Sequence, residues 1–331
     1  MAIFRSTARS GHLLNSHEQI FFHDLLSPSD HGVEELLEGL SAASKYISPK
    51  FFYDECGSEL FTEITQQPEY YLTKIETKLL RDHVDEISRL TGKGCVLIEY
   101  GSGSSTKIKI LLDSLRPSIY APLDISKEYL ISASEMLATE YHWLTVNATC
   151  VDFTAEFDLP FRNEQRKVGF FPGSSIGNFE PAQAMTFLGR IRNQVGDGGS
   201  LLLGVDLQKD VDLLNAAYND VAGVTRLFNL NVLQHINDSF GGNFVLENFE
   251  HEASYNVAQG CVQMFLISQI DQEIELAGQS IAIGAGERIH TENSYKYTVG
   301  QVQDMAEAAG FRDTLIWTDY QELFGLFYLT T

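Results

Sequence analysis

Glu99, Asp124 and Asp152 each stand at the end of a short strand-like run, and the first opens the stretch Glu99-Tyr100-Gly101-Ser102-Gly103-Ser104-Ser105. Glycines at such a turn let the backbone approach a ligand without interference from a Cβ, and the N-terminus of a following helix offers free N–H donors. A dinucleotide fingerprint would need a third glycine where Thr106 stands, and a phosphate-binding loop would need G-x-x-x-x-G-K-[ST]; neither is present. The chemistry left is recognition of a nucleoside that carries no phosphate. Asp124 could accept both hydroxyls of a ribose, Asp152 could take an adenine amino group, and Phe153 could cover the ring. Each carboxylate taken singly could equally be a solvated loop residue or a helix cap.

A second constellation lies far along the chain. Glu292 and Ser294 are two residues apart, so on a strand they face the same way. A carboxylate and a hydroxyl so placed can meet the two nitrogens of one imidazole.

Periodicity gives the elements that must position these residues. The run 95–99 is short, apolar and followed by glycines, as expected of a buried parallel strand entering a tight turn. Helical spacing follows over 106–115. The alternation repeats as strand 118–123, helix 127–141, strands 145–151 and 168–171, helix 181–195 and strand 200–205. Strands alternating with helices imply a parallel sheet covered on both faces, an α/β fold. Ahead of it, helical spacing covers 32–46, 58–64 and 75–90. Past Asp206 comes a helical run over 209–229, then β-branched or aromatic runs at 244–249, 252–256, 261–270 and 273–277. These predict an antiparallel insert, because short turns join its strands without crossover helices. A helix over 299–309 and strands at 314–318 and 325–329 return to the sheet. The expected organisation is a Rossmann-like domain from 73–207 and 297–331, with a second α+β domain formed by the N-terminal segment 1–72 and the insert 208–296.

With 331 residues, 44% of them hydrophobic, the chain can bury a substantial core. Its 45 acidic and 23 basic residues give a formal charge of −22, a field that repels phosphate backbones and anionic lipid. Neither nucleic acid nor membrane is an expected partner. Cys56, Cys95, Cys150 and Cys261 are far apart with no C-x-x-C, so neither a zinc site nor a disulfide framework is indicated and four buried thiols are expected. The first ten residues carry two arginines but no apolar run behind them, and no stretch approaches the roughly 20 apolar residues of a membrane span. A cytoplasmic monomer acting on a small molecule, without a metal, is the expectation.

The most specific block is Phe52-Tyr53-Asp54-Glu55-Cys56-Gly57-Ser58-Glu59-Leu60-Phe61, followed by Ile64-Thr65, Pro68-Glu69-Tyr70-Tyr71-Leu72-Thr73, Glu76 and Leu80. Further blocks come in order: Glu99 to Lys107, Pro172-Gly173-Ser174-Ser175-Ile176-Gly177-Asn178-Phe179, Gly204-Val205-Asp206 leading to Ala216-Ala217-Tyr218, and Ile289-His290-Thr291-Glu292-Asn293-Ser294-Tyr295-Lys296. From about Ser48 onward the chain resembles the amino-acid N-methyltransferases that use S-adenosylmethionine (SAM), among them the histidine Nα-methyltransferases of ergothioneine biosynthesis. The resemblance implies a bilobal protein with a class I methyltransferase sheet. It implies that Gly101, Lys107, Asp124, Asp152 and Phe153 hold SAM. Tyr70, Asn178, Tyr218, Glu292 and Ser294 would hold a free amino acid, with Tyr53 nearby. The implied product is the trimethylated betaine hercynine. Departures are Pro172-Gly173-Ser174-Ser175, where the family often has a Gly-Gly-Thr run, and Tyr100 inside the first glycine block.

Methyl transfer from a sulfonium is an in-line displacement, which calls for alignment and exclusion of water rather than a metal or a covalent nucleophile. Asn178 and Tyr218 suit the α-carboxylate and the orientation of the amine, since neither would neutralise the nucleophile. Tyr53 or Tyr70, directly or through water, would receive the proton of the amine, and aromatic faces would stabilise a methylated cation. Taken without the resemblance, Tyr70 and Tyr71 read as core aromatics, Asn178 as a turn residue and Glu292 as a strand surface residue. Other readings are methylation of another amino acid such as tryptophan, which Glu292 disfavours because an indole offers one N–H, and a SAM-binding protein without catalysis. A nucleotide-dependent reductase is disfavoured by the missing third glycine.

Overall fold

The computed structural model describes residues 12–13, 19–26, 31–103, 106–161 and 164–331; Ser104 and Ser105 of the glycine-rich turn and the polar segment 1–10 lie outside them. Two short strands, β1 (His12–Leu13) and β2 (Ile20–Asp24), precede three helices, α1 (His31–Ser41), α2 (Glu55–Ile64) and α3 (Tyr71–Thr91). The helix expected to run to residue 46 stops at Ser41, because the chain turns back there: Tyr46 N–H donates to Gly39 O at 3.0 Å, and Ile47 N–H donates to His290 O at 2.8 Å. Asp54 caps α2 through Gly57 N–H at 2.7 Å, and a Cβ at Gly57 would sit 1.8 Å from Phe52 O. Only a residue without a side chain closes that turn, which accounts for the glycine within the Phe52–Phe61 block.

The alternating segment follows as β3 (Val96–Tyr100), α4 (Thr106–Leu115), β4 (Ile119–Asp124), α5 (Lys127–Glu140), β5 (Thr145–Cys150), β6 (Lys167–Phe171), α6 (Pro181–Val195) and β7 (Ser200–Asp206). β3 and β7 are buried at every position, the signature of parallel strands covered on both faces. The helical run expected over 209–229 is two helices, α7 (Val211–Ala217) and α8 (Val224–Phe240). Asp220 breaks the run by capping α8, accepting from Val224 N–H and Thr225 N–H at 2.8 Å each, while Gly223 takes φ +74°.

The insert contains β8 (Phe249–Asn256), β9 (Cys261–Ser268), β10 (Gln272–Leu276), β11 (Gln279–Ile283) and β12 (Arg288–Tyr295). No strand forms over 244–248. The Asn237 side chain bonds both Phe244 N–H and Phe244 O at 2.8 Å and holds that segment at the end of α8. The chain closes with α9 (Val299–Ala308), β13 (Asp313–Thr318) and β14 (Phe324–Thr330).

A nine-stranded sheet runs β1-β2-β5-β4-β3-β6-β7-β14-β13, parallel from β2 through β7 and antiparallel at both edges. Separate antiparallel sheets order as β12-β9-β8 and β10-β11. β2 belongs to the large sheet, in register with β5 from Ile20↔Val146 to Asp24↔Cys150, although residues 1–72 were expected in the second domain. Ile20 is buried there, so pairing covers an edge and removes apolar surface together. Three cysteines are buried free thiols, whereas Cys56, in the exposed first turn of α2, is not buried as expected.

Gly57→Ala is expected to cost about 1–3 kcal/mol, seen as a lower midpoint of urea unfolding. An unchanged midpoint would show that the turn accepts a side chain.

Candidate active site

At the carboxyl ends of β3, β4 and β5 the structure brings together Gly101, Asp124, Asp152 and Phe153. Gly101 takes φ +74°, donates its N–H to Leu123 O at 2.9 Å, and has the Phe153 ring 3.6 Å from where a Cβ would lie. Phe153 sits edge-on to Tyr100 and Phe171, which fixes the ring. Val151 N–H donates to Asp124 O, so the ends of β4 and β5 stay in step. Asp124 accepts from Ser126 N–H at 2.9 Å, but burial pushes its carboxyl up to about 6. Glu99 is held by the Tyr120 hydroxyl and raised to about 7, again by burial. Asp152 accepts from Thr154 N–H at 3.0 Å.

Lys107, in the first turn of α4, forms an ion pair with the buried Glu76 of α3. Both oxygens of Glu76 also take the N–H of Gly173, at 2.9 and 3.0 Å. The lysine therefore links the glycine-rich turn to the 172–175 loop, a connection that sequence reasoning missed although Glu76 ended the most specific block.

That loop opens onto a second pocket. Tyr53, Tyr70, Asn178, Tyr218, Glu292 and Ser294, scattered over more than two hundred residues, all line it. Each arrives for a local reason. Tyr53 follows a 3-10 turn at Pro49–Phe52, and its carbonyl accepts from Ser126 Oγ at 2.6 Å, which seats the α2 start against the β4–α5 turn. Tyr70 immediately precedes α3, and Tyr218 follows α7 at the break before α8. Gly173 (φ +76°) and Ser174 (φ +63°) start the turn that carries Asn178. A Cβ at Gly177 would meet Tyr295 O at 2.6 Å, so this turn lies directly on β12.

On β12 the alternation separates two faces. Asn293 and Tyr295 both donate to Glu180 at 2.7 Å on one side, while Glu292 and Ser294 face the pocket on the other. Asn178 Nδ2 approaches Glu292 Oε2 at 3.5 Å. Tyr218 Oη donates to Ser294 Oγ at 2.7 Å. Phe61, Phe228 and Met264 add apolar wall that sequence reasoning did not single out. Phe61 stood in the most specific block without a role, and Phe228 and Met264 fell only within a helical and a strand run.

Burial dominates the electrostatics. It raises Glu292 to about 7 against an opposing pull from Lys296. It also pushes the phenols of Tyr53, Tyr70 and Tyr218 upward, reinforced by Glu292 in each case. Tyr53 and Tyr70 are thereby favoured as neutral phenols, which suits them to hydrogen bonding and to walling the pocket.

Residues 33–331 match the family described as "Histidine-specific methyltransferase, SAM-dependent". The chain belongs to this family. It is 39% identical over 295 residues to the histidine N-alpha-methyltransferase of Mycolicibacterium smegmatis, covering 87% of this chain and 91% of the relative. To the histidine N-alpha-methyltransferase of Mycobacterium tuberculosis it is 36% identical over 299 residues, covering 88% and 92%. It is also 31% identical over 291 residues to ergothioneine biosynthesis protein 1 of Neurospora crassa, which covers 84% of this chain and 32% of that longer protein.

In this SAM-dependent methyltransferase the large sheet is the class I methyltransferase sheet that the sequence predicted, with β14 inserted antiparallel between β7 and β13. The residues at its carboxyl ends fit SAM. Asp124 is a half-buried carboxylate that would gain from hydroxyl donors, and Gly101 offers backbone free of a Cβ beside an aromatic ring. Among the described residues no group of His, Cys, Asp and Glu could hold a metal ion, and no helix is long and apolar enough to cross a membrane.

Because Glu292 binds its proton more tightly when folded than its ordinary 4.5, the stability linked to it is complete at low pH and is lost as pH rises through about 7. Glu292→Gln is therefore expected to gain on the wild type between those values, by on the order of 3 kcal/mol above neutrality. Urea unfolding at pH 5 and pH 8 checks this; equal differences at both would refute the burial argument.

Proposed function

We propose that the chain transfers methyl groups from SAM to the α-amino nitrogen of L-histidine, continuing to the trimethylated betaine hercynine as a step toward ergothioneine. The observation that carries this reading is the buried pair Glu292 and Ser294 on one face of β12. Glu292 accepts an imidazole N–H, and Ser294 meets the other ring nitrogen. The same pair disfavours tryptophan, whose single N–H would leave one of the two groups without a partner.

When bound, SAM supplies an electrophilic methyl carbon on a sulfonium. Asp124, Asp152, Phe153, Gly101 and Lys107 hold it at the strand ends. Asn178 takes the α-carboxylate, while Tyr218, whose hydroxyl proton is directed to Ser294, accepts from the amine and orients it. Tyr53 and Tyr70, kept neutral by burial, orient the lone pair and present aromatic faces to the growing cation. The amine must be unprotonated to attack, and its proton leaves through water.

We further read residues 31–72 together with 208–296 as the unit that binds the amino acid, with Asn178 reaching its pocket from the segment after β6.

Purified protein given labelled SAM and each amino acid in turn, with products read by mass, is expected to methylate histidine. Glu292→Ala is expected to lower histidine turnover by well over tenfold, a loss on the scale of an unpaired buried polar group. Near-normal turnover in that variant would refute the imidazole assignment.

A further inference from the structure

Lys296 is the first residue beyond β12 and continues its alternation, so Glu292, Ser294 and Lys296 fall at every second position. Its side chain is fully buried, a state a lysine tolerates when its three N–H donors all find acceptors. Asp206 Oδ2 lies 3.0 Å from Nζ, Tyr218 Oη 2.9 Å and Ser294 Oγ 2.7 Å. Tyr218 Oη, accepting from the ammonium, passes its own proton to Ser294 Oγ at 2.7 Å. Both lone pairs of the serine oxygen are then taken. What the serine has left is its own proton, at the wall of the pocket that Glu292 also lines.

We propose that Lys296 is a positioning residue that makes Ser294 an obligate hydrogen-bond donor, so that the pocket demands a ring with an acceptor atom at Ser294 and an N–H at Glu292. The proposal rests on the histidine reading and names the ring chemistry the site selects. An ammonium suits this task because it has donors and no acceptor. It can receive neither hydroxyl proton, and with the Tyr218 hydroxyl directed to Ser294 Oγ the order Lys296 to Tyr218 to Ser294 to ring runs one way. With a neutral apolar residue in its place, the serine lone pair that the ammonium occupied is freed, and Ser294 can turn it to the pocket and accept from a ring N–H. A pyrrole satisfies Glu292 but leaves the serine proton unpaired, and an unpaired buried donor is what lets a polar site reject an analogue. Asp206 keeps the ammonium in place and is itself held by the Tyr71 hydroxyl at 2.9 Å and by Lys209.

The test compares kcat/KM for histidine with that for 3-(pyrrol-2-yl)alanine and 3-(pyrrol-3-yl)alanine, which keep one ring N–H and replace the other nitrogen by C–H. Wild type is expected to prefer histidine to the better pyrrolylalanine by about tenfold or more. In Lys296→Met the preference is expected to fall to within about threefold. The triple variant Lys296→Met/Asp206→Asn/Lys209→Met removes all three buried charges of the cluster and decides the matter should the single variant not fold; retained SAM binding reports folding. A merely structural role would lower all three substrates alike and leave the ratio intact. An unchanged ratio in a folded variant overturns the positioning role, as does a wild type that uses a pyrrolylalanine as well as histidine. A wild type that does not methylate histidine at all overturns the histidine reading instead.

Discussion

The buried ion pair between Asp206 and Lys296 joins the carboxyl end of the large sheet to the end of the antiparallel one, and the amino-acid pocket is organised around that joint. Taking two such charges out of water costs several kcal/mol each unless every remaining donor and acceptor is satisfied. Here the satisfaction is shared across elements remote in sequence. Tyr71 comes from α3, Lys209 from the residues before α7, Tyr218 from the break after it and Ser294 from β12. Burial pulls the Lys209 ammonium down to about 8, against the pull of Asp206. Asp206 N–H also donates to Ser174 Oγ at 2.9 Å, so the 172–175 loop is tied to the same point.

Glu76 makes a corresponding joint on the cofactor side. Fully buried, it pairs with Lys107 and holds Gly173 N–H, so the cofactor turn and the substrate loop share one carboxylate. A change in the seating of α4 would thus be felt in the pocket through a single rigid contact. Two buried charged groups therefore tie together the sites proposed for cofactor and amino acid, the alignment that an in-line transfer requires.

Much of the site was legible because its residues are marked by type as well as position. Carboxylates at successive strand ends, a glycine pair before a helix and an i, i+2 pair on a strand are local patterns, and the structure brings each group together. The missed residues are of another kind. Lys296 continued the i, i+2 spacing of Glu292 and Ser294, but a lysine beyond a strand end reads as surface until a partner such as Asp206 is found. The division of 209–229 into two helices was missed because it is decided by a cap, Asp220 with Gly223, and β11 because its pairing with β10 is set by the left-handed turn at Ala277 and Gly278.

The sequence by itself determined the alternating α/β pattern, the SAM-type turn without phosphate chemistry and the family, since each follows from residue types at fixed local spacing. Only the tertiary structure decided that Tyr53 and Tyr70 share one pocket with Glu292, that β2 completes the large sheet and that a buried ammonium contacts two hydroxyls at that pocket. These depend on desolvation and on pairings between remote segments, and a linear pattern carries neither until the chain has closed around them.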